Sequence, residues 1–99
     1  MKKHFFLKLI APRPDFPMTM SDGEKALMQQ HVGHWMKFVH AGNVIVFGPV
    51  LDPAGAFGMG VVSFESEDEA ARLCNEDPVI KANIGFKYER FVMPQLITK

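Results

Sequence analysis

The sequence predicts an α+β fold in the order β-α-β-β-α-β, and three observations carry it. Four short runs rich in aromatic and branched residues read as strands: KHFFLKLI (3–10), NVIVFGPVL (43–51), MGVVSFE (59–65) and GFKYERFVM (85–93). Two capping-box patterns, SDGE from Ser21 to Glu24 and SEDE from Ser66 to Glu69, each open a stretch of helical spacing. Turn chemistry separates these runs, with Gly42 after the first helix and DPAGAFG (52–58) between the middle strands. Chains of this order form an antiparallel sheet with both helices on one face, the ferredoxin-like split βαβ sandwich.

Each element has a local reason. The first strand ends where APRPDFPMTM places three prolines in its first seven residues. Proline removes backbone donors and restricts its predecessor, so a loop is expected there. The first helix should run from its Ser21 cap to about Ala41 and turn inward Met28, Val32, Trp35, Met36 and Val39. The second strand is mostly apolar and is interrupted at Gly48-Pro49. The second helix, EDEAARLCNE, breaks at Asp77-Pro78, which can start a further turn, PVIKAN. There are no internal repeats, low-complexity tracts or linkers, and one domain over residues 1–99 is expected.

Such a sandwich leaves one sheet face bare. Phe5 or Phe6, with Val44, Val46, Val61 and Phe91, would make that face apolar. A second copy is the simplest cover, so the expected partner is the chain itself, as a homodimer. Balanced charge does not oppose this. Lys plus Arg and Asp plus Glu are 11 each in 99 residues, a formal net charge of zero. The same balance gives no reason to seek nucleic acid or an anionic membrane. The N-terminal MKKHFFLKLI is too short and too interrupted, at Lys8, for a signal peptide. With a lone cysteine, Cys74, nothing points to an oxidising compartment, and a cytoplasmic protein is expected.

The chemistry concentrates in HVGHWMKFVHAG (31–42), three histidines around the single tryptophan. At about 100° per residue, His31 falls roughly 80° from the centre of the apolar stripe, on a flank shared with Leu27 and Phe38. His34 falls roughly 140° away, pointing outward, and His40 roughly 100° away on the opposite flank. His31 and His34 could share an ion at i,i+3 spacing, but no third ligand stands with them, so no metal site is expected. His31, at the edge of the core, is the candidate general base. A base of this kind wants a carboxylate to orient it. The carboxylates of Glu67, Asp68 and Glu69 suit a helix N-terminus and need no further role. Asp52 and Asp77 both precede proline in turns. Asp77 can cap the short turn that follows it, or approach His31 from beside the second helix.

Taken together, HVGHWMKFVHAGNVIVFGPV, then GMGVVSFESEDEAARLCNEDPVIKANI, then FKYERFVM resemble the YCII-related family of small dimeric α+β barrel proteins. The resemblance spans nearly the whole chain. It implies a ferredoxin-like protomer, a dimer and a His–Asp pair in a pocket near the helices, carried here by His31 and Asp77. One branch of the family resembles dehydrochlorinases of chlorinated hydroxyquinols. The longer proline-rich segment departs from the family's short loop and would serve as a lid or a longer connection.

On this reading His31 takes a proton from a small cyclic or aromatic hydroxylated substrate, in a lyase-like or isomerase-like step, and Asp77 holds the imidazole. Trp35, Phe38, Phe16 and Met18 would wall the pocket, and the backbone at Gly48 and Pro49 would approach the ligand. No cofactor motif is visible, and none is expected. The alternatives are a non-catalytic small-molecule-binding dimer and, by fold analogy alone, a cofactor-independent monooxygenase.

Overall fold

Eight elements follow one another along the chain: β1 (Lys3–Ile10), α1 (Phe16–Thr19), α2 (Asp22–His40), β2 (Val44–Val50), β3 (Phe57–Phe64), α3 (Glu67–Asn75), α4 (Pro78–Lys81) and β4 (Lys87–Met93). In the computed structural model, which describes residues 1–99, the four strands form one sheet in the order β2-β3-β1-β4. All three pairings are antiparallel. This is the expected ferredoxin-like α+β sandwich, with two short helices added to the two long ones. No helix is long and apolar enough to cross a membrane.

The caps act as their sequences suggest. Ser21 Oγ accepts the Glu24 N–H at 3.1 Å, and Glu24 Oε1 accepts the Ser21 N–H at 2.9 Å, a reciprocal capping box. Gly42 takes φ +84°, the left-handed turn that closes α2. At Ser66 only the forward half of the box forms, with Glu69 N–H donating at 3.4 Å. Pro49 does not interrupt β2 as the sequence suggested. The strand runs through it, because β2 lies at the sheet edge, where a missing donor is tolerated.

Period-2 alternation sends Phe5, Leu7 and Leu9 of β1 toward the helices, with Val62 and Phe64 of β3 beside them. These meet Trp35 of α2 and Ala70, Leu73 and Cys74 of α3 in the core. Burying a large apolar side chain there contributes about 1.5–3 kcal/mol. On the opposite face, Phe6 and Phe91 pair across strands with ring centroids 6.1 Å apart, next to Val46 and Val61. Phe91 is 49 % and Val46 50 % exposed. Phe5 and Val44 were candidates for this face. Both instead pack on the helix side, Val44 because a bulge at Ile45 shifts the phase of β2.

Two expectations for α2 change. His34 is buried, not outward, and Val32 is 45 % exposed, not inward. The wheel assumed a single apolar partner, the sheet. The helix also packs beside α3 and α4, whose polar backbone and side-chain groups receive histidines on that flank. The inward surface is therefore rotated toward His31, His34 and Trp35.

The proline-rich segment is also more ordered than a loop. It holds α1, which buries Phe16 edge-on against Phe86 at 5.0 Å. Arg13 ties it down, donating to both Glu24 oxygens at 2.7 and 2.9 Å and to Thr19 O at 2.7 Å.

Candidate active site

Asp77 stands where α3 ends and α4 begins, and its two oxygens do different things. Oδ1 accepts the Val79 N–H at 3.1 Å and caps α4, because Pro78 starts that turn. Oδ2 accepts His31 Nδ1–H at 2.7 Å and the Tyr88 hydroxyl at 2.6 Å. Trp35 Nε1–H is shared between Tyr88 Oη at 2.8 Å and the same Oδ2 at 3.3 Å. The two readings of Asp77 that the sequence left open, helix cap and histidine partner, are thus both realised.

Asp77 is fully buried. Burial alone would push its carboxyl up. The hydrogen bond and charge of His31, then the Tyr88 hydroxyl and the Val79 amide, outweigh burial and hold it below its ordinary value. Burial, then the Asp77 charge, drives the Tyr88 phenol well above its own ordinary value, so Tyr88 stays a donor. An ionised Asp77 can only accept, so the neutral His31 ring carries its proton on Nδ1. Its Nε2 lone pair is then free. Nε2 has no protein partner, and no buried polar side-chain atom in the molecule is left unpaired, so this nitrogen is open to solvent or ligand.

The space beside it is a cavity of about 230 Å³ between the sheet, α2 and the α1 strap. Its wall is largely apolar, with Trp35 stacked on Phe47 at 5.1 Å and Leu9, Phe16 and Met28 nearby. His31 and Tyr88 are the titratable residues of the lining, which holds no Lys, Arg, Asp or Glu. An apolar cavity of about 150 Å³ accommodates benzene. This one therefore has room for one ring with small substituents. No permanently charged side chain in the lining is placed to neutralise a carboxylate or phosphate.

Of the residues singled out from sequence, His31, Trp35, Gly48, Pro49 and Phe16 line this cavity. Asp77 sits behind His31. Phe38 and Met18 do not belong to the wall. Phe38 packs edge-on against Phe64 at 5.9 Å and His34 at 5.4 Å, and Met18 is exposed. Phe38 shares the His31 side of α2 but lies seven residues, about 10 Å, further along the helix, beyond the cavity. His34 Nε2–H donates to Leu73 O at 2.8 Å, tying α2 to α3. His31 and His34 thus aim at different partners, and no three His, Cys, Asp or Glu side chains are arranged to hold a metal ion. Tyr88 was missed. It is the chain's single tyrosine, on the inward phase of β4. Placing Phe91 on the bare face already puts Tyr88, three residues away, on the helix-facing phase, but nothing in KYERFVM signals that its hydroxyl has a buried partner.

A ferredoxin-like α+β fold with a buried carboxylate-paired histidine at an apolar cavity defines the class of protein. The chain belongs to the YCII-related domain family, whose pattern matches residues 5–94. Among solved structures it is similar to 5-chloro-2-hydroxyhydroquinone dehydrochlorinase from Burkholderia phenoliruptrix, in complex with 2,5-dihydroxybenzoquinone. The TM-score is 0.60 at 20% identity, covering 88% of this chain and 92% of that one. It is also similar to an uncharacterised protein from Thermotoga maritima, with TM-score 0.55 and 9% identity over 94% of this chain and 99% of that one. At these identities the likeness is one of fold. A search of curated proteins finds no match.

Proposed function

We propose that this protein is an enzyme of general acid–base type that uses His31 as its base and Asp77 as the partner of that base. The substrate is a small, uncharged cyclic or aromatic hydroxylated compound. The observation that carries this reading is the 2.7 Å His31–Asp77 contact, with Nε2 left open beside an apolar, cation-free cavity. His31 Nε2 takes the hydroxyl proton, and the Asp77 carboxylate stabilises the resulting imidazolium. The electron pair left on oxygen enters the ring. Protonation at a ring carbon then gives the keto isomer. Where that carbon bears a halogen, loss of a second hydroxyl proton expels the halide from it, a net loss of hydrogen halide that leaves a quinone, the lyase-like outcome. The dehydrochlorinase among the structural neighbours supports the second outcome by fold analogy.

The test is chloride release from 5-chloro-2-hydroxyhydroquinone by wild type, His31→Ala and His40→Ala. His40 is exposed and serves as the control. A positioned base contributes about 10²–10⁴-fold, so His31→Ala should lose that much while His40→Ala keeps the wild-type rate. Equal rates in all three proteins sink the base role.

We also propose that the protein works as a homodimer through the bare sheet face of Phe6, Val46, Val61 and Phe91. Light scattering at micromolar concentration should give twice the chain mass, and the Val46→Glu/Phe91→Glu double variant should give one. A monomeric wild type rules this out.

A further inference from the structure

The geometry assigns Tyr88 as a positioning residue that tunes the His31–Asp77 pair, by competing with the imidazole for one carboxylate oxygen. This rests on reading His31 as the base, but it is tested on the protein without substrate. Asp77 Oδ2 accepts at 2.7 Å from His31 and at 2.6 Å from Tyr88, and Oδ1 is occupied by the Val79 amide. Two strong donors therefore share one oxygen. No Lys or Arg side chain hydrogen-bonds or salt-bridges the carboxylate. Whatever charge Tyr88 draws from Oδ2 is withdrawn from His31. A strong Tyr88 bond leaves less carboxylate charge to stabilise an imidazolium at His31, and a weak one leaves more.

The hydroxyl is in turn set by Trp35, whose indole N–H donates to Tyr88 Oη at 2.8 Å. Tyr88 accepts there and so directs its own proton at Asp77. The chain of donors runs from Trp35 through Tyr88 to the carboxylate that also holds His31. The other titratable groups nearby leave the balance to these residues. Cys74 is pushed up to about 11 by burial and remains a thiol. One turn along α2, His34 is bound to Leu73 O. From the strap side, Glu24 is paired with Arg13. On the outer face of α2 and α4, Lys37, Glu76 and Lys81 border a groove with His34, away from the cavity lining.

Because Tyr88 is the only tyrosine, it can be perturbed in both directions. Tyr88→Phe removes the competing donor and keeps the ring. Global replacement of tyrosine by 3-fluorotyrosine makes the phenol more acidic, a stronger donor at this position alone. The readout is the His31 titration, followed by NMR on the imidazole carbon-bound protons and assigned by their loss in His31→Gln. Tyr88→Phe should raise the His31 pKa by about half a unit, roughly threefold in its protonation constant. The released Trp35 N–H, already 3.3 Å from Oδ2, replaces part of the lost bond and limits the rise. Fluorotyrosine should lower the same pKa. A residue that merely packs would move neither, and a missing or reversed shift in either protein overturns the assignment. The acid limb of the rate profile separates the two proposals. If the NMR shifts occur while the limb stays fixed, Tyr88 tunes the pair and His31 is not the base.

Discussion

Trp35 lies directly over Gly60, with no space for a side chain between them. A Cβ built on Gly60 would sit 2.3 Å from the indole, well inside any real carbon–carbon contact. Gly60 faces the helices from the middle of β3, opposite Leu7, so the indole fills the gap where an inward side chain would stand. This contact fixes the ring that walls the cavity and steadies Tyr88. Gly60→Ala should therefore cost roughly 1–3 kcal/mol by overpacking. Urea unfolding measures the loss. Trp35 is the single tryptophan, so its emission reports the displacement without interference. Wild-type stability and an unshifted spectrum would show that the indole has room to yield.

The buried His34 makes a second, separable prediction. Its Nε2–H satisfies the Leu73 carbonyl across the α2–α3 contact. His34→Ala leaves that carbonyl unpaired and should cost about 1–3 kcal/mol. His40→Ala on the exposed flank should stay within about 0.5 kcal/mol. Once scaled to the folded fraction, turnover by His34→Ala should match wild type. A rate deficit beyond the unfolded fraction would give His34 a part in the chemistry.

The contrast between His31 and His34 shows what was legible in the sequence. Strands, caps and their order follow from local patterns, and the structure keeps them within a few residues. The His31–Asp77 pair was one of two open readings of Asp77, 46 residues along the chain from His31. No local pattern decides such a pairing. The family resemblance favoured it. His34 and Val32 were misplaced because a helical wheel weighs side-chain hydropathy, whereas a carbonyl on a neighbouring helix is a partner invisible to it. Tyr88 stayed hidden because its partner, the Asp77 carboxylate, lies on another element, and no pattern within β4 points to it.

Asp77 should also write a pH dependence into stability. Its folded carboxyl is held below the ordinary value of 3.8, so the folded state binds its proton less readily than the unfolded chain does. The sign follows: this contribution is fully present above about pH 4 and is lost as pH falls through the lower folded value. Asp77→Asn removes a charge-assisted bond and should be less stable than wild type at pH 7 by about 1.5–3 kcal/mol. The gap should narrow below pH 4. Urea midpoints from pH 7 to pH 3 test this, and a gap that is constant across the series contradicts it.

The strap over the cavity is held by Arg13 and Glu24. The Arg13 hydrogen bond, with the Ser21 amide, pulls the Glu24 carboxyl down to about 2. The latch is thus complete above the ordinary glutamate range and is released only as pH falls toward 2. Neutralising it at pH 7 requires mutation. Arg13→Ala should speed amide exchange at Phe16 and Met18, whose N–H groups bond to Arg13 O and Asp15 O, while exchange in β1 and β3 is unchanged. Unchanged exchange in the strap would mean that Phe16 packing alone holds it.

Gly58, two residues before Gly60 on the same face of β3, gives the final prediction, because here the absent side chain leaves a void. A Cβ on Gly58 would lie 3.5 Å from the Leu9 Cβ, an ordinary contact, and the position lines the cavity. Gly58→Ala should therefore fold, and should gain about 0.5–1 kcal/mol because glycine weakens a strand. Gly58→Val should fold too, but its methyls would occupy space that a ring needs. A misfit of one methylene in an apolar pocket is worth about 1–3 kcal/mol, 10–200-fold in affinity. Titration with a small uncharged phenol, the ligand class proposed above, alongside thermal unfolding, separates the two effects. Stability held or raised with binding weakened at least about tenfold places the ligand against β3 at Gly58. Binding that survives Gly58→Val at full strength would move the ligand away from this cavity, and with it the reason for His31 Nε2 to be open there.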